Sequence, residues 1–155
     1  MLARGGALSP LSGLGNTHHA AVDRLKSGII EGYELGSVHE YKISKNPIRR
    51  LWKRWKSGPA NVNSKSKFHD ITHITDQEQA GLTPRNSISV ITVHDLFHLF
   101  PNTRNGISVG KQNPSFIRKR DIERIKRGIS RASLLICVSK DTKQECEMRF
   151  PGVPT

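Results

Sequence analysis

An α/β domain with a Rossmann-like parallel sheet and flanking helices is the fold class this sequence predicts, and three observations predict it. Short β-branched apolar runs bounded by turn residues recur at 70–75 (DITHIT), 87–93 (SISVITV) and 133–139 (SLLICVS), the pattern of strands covered on both faces. Helical periodicity separates them: Ile122, Ile125 and Ile129 fall at i, i+3 and i+7 in RDIERIKRGISRA, an apolar face opposed by Arg and Lys. Strands that alternate with helices in this way pair in parallel. The length, 155 residues, suits a single domain over 1–155.

At the start, MLARGGALSP contains no strand-like run, whereas SGLGNTHHAAVDRLKSG reads as a turn, with Gly13 and Gly15 in it, that opens a helix bearing Ala20, Ala21 and Leu25. In a Rossmann unit that turn follows a central first strand, so the first strand is expected to be missing and the domain incomplete. His18 and His19 are expected to face solvent. An alternating run at 36–43 is expected to form an outer strand. In NPIRRLWKRWKSGP, Asn46 is the expected N-cap, Pro47 the first helical residue, Gly58 the terminator and Pro59 the stop beyond it. Ser139 is the expected N-cap of the last helix, which Pro151 closes.

A net charge of +12 favours anionic partners, whether nucleic acid, phosphorylated small molecules or an acidic membrane surface. The helix after Asn46 concentrates it: Ile48, Leu51, Trp52 and Trp55 form a stripe, Arg49, Arg50, Lys53, Arg54 and Lys56 take the rest of the wheel, and no Asp or Glu occurs between Glu40 and Asp70. Two readings stand, a helix lying on an anionic membrane with its tryptophans at headgroup level and one packing its stripe on the sheet. A nucleic-acid patch is a third, without a recognised motif beside it. Two cysteines make no disulfide framework, and Cys137, inside SLLICVS, is expected to be a small buried hydrophobe, which suits a reducing cytoplasm. No apolar run approaches a membrane span or a secretory leader; the expected location is cytoplasmic or membrane-peripheral.

The segment ISVITVHDLFHLFP sets His94, Asp95 and His98 behind an apolar run. Two histidines at i and i+4 of a helix could ligate zinc, but the preceding residues are strand-like, and no metal site is expected. A strand end in a parallel sheet instead points His94 and Asp95 at the ligand crevice; the plainer alternative is that His94 caps the sheet. His98, among Phe97, Leu99 and Phe100, reads as part of a segment folding back over the core. Gly13-Leu14-Gly15 could bring backbone N–H groups to a phosphate, or could be an ordinary turn, since the third glycine and the acidic residue of the dinucleotide fingerprint are lacking.

The succession of SGLG, DITHITDQEQAGL, SISVITVHDLFHLFP and RIKRGISRASLLICVSKDTKQECEMRFPG resembles the amino-terminal half of a GT-B glycosyltransferase, of the large retaining group that is family 4-like. The likeness is clear from about residue 70 onward and looser over 12–25. It implies that Gly13, Leu14 and Gly15 lie by the donor diphosphate, that His94 contacts the donor sugar near the reacting carbon, and that Asp95 positions that loop. It implies further that His73, Asp76 and Gln77 line the acceptor side and that Ser139 lies near an interdomain cleft. The implied donor is a nucleotide-sugar, the acceptor a glycan or lipid-linked molecule, with no cofactor and no metal. The group's second Rossmann-like domain, which holds most of the donor, is not in 1–155, so the chain is expected to be truncated, inactive alone and marginally stable. The alternative is a non-enzymatic basic α/β module that binds anionic membrane or nucleic acid through residues 49–56. Loops such as 102–115 are expected to be mobile and to take part in selecting substrates.

Overall fold

The β-branched runs form the strands they predict. The computed structural model describes residues 1–4, 11–40, 44–104, 107–110 and 112–155. Its strands are β1 (Leu2–Ala3), β2 (Val38–His39), β3 (Ile71–Ile74), β4 (Ile88–Val93), a short antiparallel hairpin of β5 (Asn102–Arg104) and β6 (Ile107–Val109), and β7 (Leu134–Cys137). All but the hairpin join one parallel sheet in the order β2-β1-β3-β4-β7. Counted along the chain, the strand order reverses between β1 and β3, the place where open α/β sheets leave a crevice. The outer-strand expectation at 36–43 is met by β2 at the sheet edge, with residues 41–43 outside the described part. The hairpin occupies the stretch that sequence alone reads as a mobile loop.

The first strand, expected to be missing, is present. Leu2 and Ala3 are buried between two neighbours: the Leu2 and Arg4 N–H groups donate to the Ser37 and His39 carbonyls at 3.0 and 2.8 Å, and the His73 and Thr75 N–H groups donate to the Met1 and Ala3 carbonyls at 2.8 and 3.4 Å. Two residues cannot carry a periodicity. Pairing on both sides makes the strand, and only the folded sheet supplies it.

Helices α1 (Gly13–Lys26), α2 (Pro47–Trp52), α3 (Gly58–Lys65), α4 (Phe116–Ile129) and α5 (Lys140–Arg149) flank the sheet. Ala3, Ile74, Ile91 and Leu135 are aligned across neighbouring strands on one face and share a core cluster with Val62 of α3, Ile122, Ile125 and Ile129 of α4, and Cys146 of α5. The other face is less covered. Ile88, Leu134 and Ile136 stay exposed on it, so burial on both faces does not extend to the end of the sheet, and Cys137 is only partly buried. Both thiols are free, and burial, with Cys137 beside it, pushes that of Cys146 up to about 12.

Gly58 does not terminate the basic helix. Asn46 caps it as expected, its Oδ1 accepting the Ile48 and Arg49 N–H groups, with Pro47 in the first turn. A π-helical turn, Lys53–Ser57, then leads straight into α3. Pro59 has no N–H to give the carbonyl of Trp55 four residues back, and a π turn is how a helix absorbs such a break. The Arg124 guanidinium donates to that carbonyl at 2.8 Å.

The widened turn also redirects the stripe. Ile48 and Trp52 are exposed at 76% and 59%, while Arg54, expected on the exposed basic face, and Trp55, of the stripe, point inward to Asp121 of α4. The Arg54 Nε–H and Trp55 Nε1–H donate to Asp121 Oδ1 at 2.8 and 3.1 Å, and Arg118 donates to Oδ2 at 3.1 Å. Arg118 also grips Glu78 with both nitrogens at 2.9 Å, and Arg54 donates to the Glu78 carbonyl at 2.9 Å. One cation of this helix, Arg54, is thus paired with acids distant in sequence. Burial opposes ionisation of Asp121, but Arg54, Trp55 and Arg118 together outweigh it and hold the carboxyl below its usual range.

Glu78 belongs to a 3-10 helix, Gln77–Leu82, that lies against α4. The approach is close at Gly128, where a Cβ would stand 1.8 Å from the Ala80 carbonyl oxygen; backbone cannot yield as a side chain can. Gly128→Ala should therefore destabilise the chain by about 3 kcal/mol in urea denaturation. Gly81→Ala, whose Cβ would meet nothing within 4 Å, should change stability by less than about 1 kcal/mol. Equal small effects would mean that the helices are not in close contact.

Candidate functional site

Parallel order brings the residues that follow β1, β3, β4 and β7 to one edge: Arg4, then Thr75 with Asp76 and Gln77, then His94 with Asp95, then Ser139. His94 is held from three sides. Its backbone N–H donates to Gln77 Oε1 at 3.0 Å, its carbonyl accepts the Thr142 hydroxyl at 3.3 Å, and its Nε2 lies 3.3 Å from the Thr75 carbonyl. A proton on Nε2 satisfies that last contact and leaves Nδ1 as an acceptor. Asp95 Oδ1 accepts the Phe97 N–H at 3.2 Å and so tightens the turn after the strand.

Ser139 caps α5, accepting the Thr142 N–H at 3.1 Å. Between this helix start and the β4 end lies a cavity of about 480 Å³, whose lining includes His94, Asp95, Ser139, Asp141, Glu145 and Arg149. Three carboxylates against one guanidinium make it rich in hydrogen-bond acceptors. Asp141 and Glu145, a half-turn and a turn and a half beyond Ser139, were not singled out by sequence. The cavity also takes in Val109 of the hairpin, which is seated by Gly110: at φ +85° this residue lies 2.3 Å, measured from a hypothetical Cβ, from the Phe97 carbonyl oxygen, so only glycine fits.

Other expected site residues stand elsewhere. Gln77 and Asp76, 4% exposed, lie behind the His94 loop: Gln77 holds the His94 N–H, and Asp76 pairs with buried Arg4 at 3.4 Å and caps the 3-10 helix through the Glu78 N–H at 2.9 Å. His73 lies within β3, its Nε2 2.8 Å from the Thr92 hydroxyl of β4. Gly13, Leu14 and Gly15 form the first turn of α1 with ordinary helical dihedrals, capped by Ser12, whose Oγ accepts the Gly15 N–H at 3.1 Å; they are not among the residues lining the His94 cavity. His98 is exposed and beside Glu78 and Arg118, apart from His94. Among the described residues, no group of three or more His, Cys, Asp or Glu side chains could hold a metal ion.

His18, expected in solvent, is 1% exposed at the strand-order reversal. A neutral ring fits both neighbours, Nε2–H donating to Glu40 at 2.6 Å and Nδ1 accepting the Thr75 hydroxyl at 2.9 Å. Burial lowers its pKa and outweighs the Glu40 carboxylate. A solvent-facing assignment fails because the α1 turn that carries His18 packs across the carboxyl ends of β1 and β3.

No known family, curated protein or solved structure matches the chain. The fold and the edge define its class: a Rossmann-like α/β domain with a polar crevice at the carboxyl ends of its strands. Among the described residues no helix is long and apolar enough to cross a membrane.

Burial lowers the His73 pKa to about 4, helped by the nearby His18 and the amino terminus. The folded chain then binds fewer protons than the unfolded one between these values, so this contribution to stability is present above about pH 6.5 and is lost as pH falls toward about 4. The unfolding free energy from urea denaturation should fall across that window by up to about 1.4 kcal/mol per pH unit from this group. His73→Gln should flatten the slope; an unchanged slope would assign the linkage to other groups.

Proposed function

We propose that this domain is the acceptor-side half of a retaining GT-B glycosyltransferase, transferring a sugar from a nucleotide-sugar to a glycan or lipid-linked acceptor. The observation that supports it most is His94 at the rim of a cavity walled by Asp95, Asp141 and Glu145. Sugar hydroxyls donate hydrogen bonds, and ionised carboxylates are strong acceptors for them; the same carboxylates repel a diphosphate. An acceptor sugar in the cavity and a donor whose phosphates are held across the cleft satisfy both requirements.

In this reading Gln77, Thr75 and Thr142 hold His94 from behind, and its Nδ1 accepts from a hydroxyl of the transferred sugar. Negative charge develops on the leaving phosphate, where helix N-termini and backbone amides stabilise it, and configuration is retained with the leaving phosphate assisting the acceptor hydroxyl. A second domain supplies the nucleotide contacts in this group, and closing the cleft would exclude water. A second reading, peripheral docking on anionic membrane, is favoured by the exposed Ile48 and Trp52 beside Arg49, Arg50 and Lys56.

Amide shift mapping of the labelled chain separates the two. Nucleotide-sugars or oligosaccharides should perturb residues 94–97 and 139–145, with the response lost in His94→Ala while the spectrum stays dispersed. Perturbation confined to residues 48–56 by phosphatidylglycerol vesicles, with none at the strand edge from any sugar, would replace the first reading by the second.

A further inference from the structure

At the opposite edge of the sheet, four arginines converge. A cavity of about 370 Å³ lies between α3, the segment leading from the 3-10 helix toward β4, and α4; its lining includes Arg85, Arg124, Arg127, Arg131, Asn63 and Thr83. That volume falls within the roughly 300–1,000 Å³ of small-molecule sites. No acidic residue lines it, none of the four arginines makes an ion pair among the described residues, and every cation in it is arginine.

The convergence is built. Arg124, Arg127 and Arg131 are spaced at i, i+3 and i+7 along and just beyond α4, opposite its isoleucine face, and like charges at that spacing disfavour a helix. Backbone carbonyls nonetheless hold the guanidinium groups: Arg124 donates to Trp55 at 2.8 Å, Arg127 to Glu123 at 3.2 Å and Arg131 to Thr83 at 3.3 Å. The Trp55 carbonyl is the one whose i+4 donor Pro59 removes, so the proline that widens the basic helix also supplies the acceptor that orients Arg124. Each guanidinium has five N–H donors, and these contacts use one apiece. Asn63 Oδ1 accepts the Arg85 N–H at 3.1 Å, leaving its amide NH₂ to donate. Burial first, and then the neighbouring arginines, lower the pKa of Arg124, outweighing the nearby Asp121, and burial and neighbouring arginines lower that of Arg131, as expected of positive charges gathered together.

We propose that this cavity binds a compact polyphosphate group, whose closely spaced oxyanions the four guanidinium forks engage. Planar forks match phosphate oxygens two at a time, and one group carrying several charges relieves the repulsion among four cations. Among the described residues no aromatic side chain lines the cavity, so these residues offer none of the stacking platforms of a single-stranded nucleic-acid groove. The site is remote from His94 and independent of the sugar-transfer reading.

Calorimetric titration of the full chain with inorganic tripolyphosphate at about 0.15 M salt tests it. Binding should be weakened at least about tenfold in Arg127→Gln/Arg131→Gln, with native spectra retained. Arg49→Gln/Arg50→Gln, an equal loss of charge on α2, should weaken it less than about twofold. Phosphatidylcholine vesicles carrying a phosphatidylinositol bisphosphate distinguish the source: binding with the same arginine dependence identifies a lipid headgroup, and tripolyphosphate binding without vesicle binding identifies a soluble ligand. The absence of tripolyphosphate binding at millimolar concentration would overturn the proposal, whatever vesicles or a single-stranded RNA do. So would equal loss in the two double variants, because that would be the response of a diffuse field.

Discussion

The fold is tied together at one carboxylate. Asp121 sits 8% exposed in α4, in a strongly basic stretch of the chain, and a buried charge persists only if it is paired and hydrogen-bonded. Here Arg54, Trp55 and Arg118 satisfy it at 2.8–3.1 Å, and Glu78 extends the pairing to the 3-10 helix. Three segments remote in sequence, the π turn, the 3-10 helix and α4, therefore meet where each alone would carry an unbalanced charge. Removing Asp121 would leave two guanidinium groups, each about a quarter exposed, facing one another with Glu78 as their shared anion.

What this joint sets is the position of the 3-10 helix. Gly128 lets α4 approach its backbone from one side, and Asp76 caps its start while pairing with Arg4, the residue after β1. Gln77, the next residue, reaches the His94 N–H. The path from the basic helix to the strand-edge histidine is thus a set of directed contacts on rigid elements, the arrangement that keeps a reactive side chain in one orientation. The same helix pair encloses the arginine cavity on its far side, so the joint supports two edges of opposite character, one lined by carboxylates and one by guanidinium groups.

Much of this was legible in the residues, and the failures have specific causes. β3, β4 and β7 carry their own β-branched signal, and the caps at Asn46 and Ser139 are local chemistry, so these elements stand where expected. Leu2–Ala3 is a strand because of its neighbours, a non-local fact. Gly58-Pro59 is a strong stop signal, overridden because a π turn and Arg124 accommodate the missing donor. His94 and Asp95 line one cavity at the strand end, where strand-end reasoning puts them, and Ser139 lines it too, whereas Gln77 and Asp76 share the edge but serve it from behind. The inward turn of Arg54 and Trp55 was hidden because their partner lies about 67 residues away in sequence; Asp121, one of two acids with Glu123 among the six cations of IRKRDIERIKR, was its only trace.

Hydrogen exchange at the His94 amide tests most directly whether the Asp121 joint positions the strand edge. In Asp121→Asn this amide should exchange about tenfold faster than in the unaltered chain, as the 3-10 helix loosens and Gln77 withdraws, while the Ile91 amide inside β4 keeps its protection. An unchanged rate at His94, or equal acceleration at His94 and Ile91, would contradict a directed coupling between the joint and the edge.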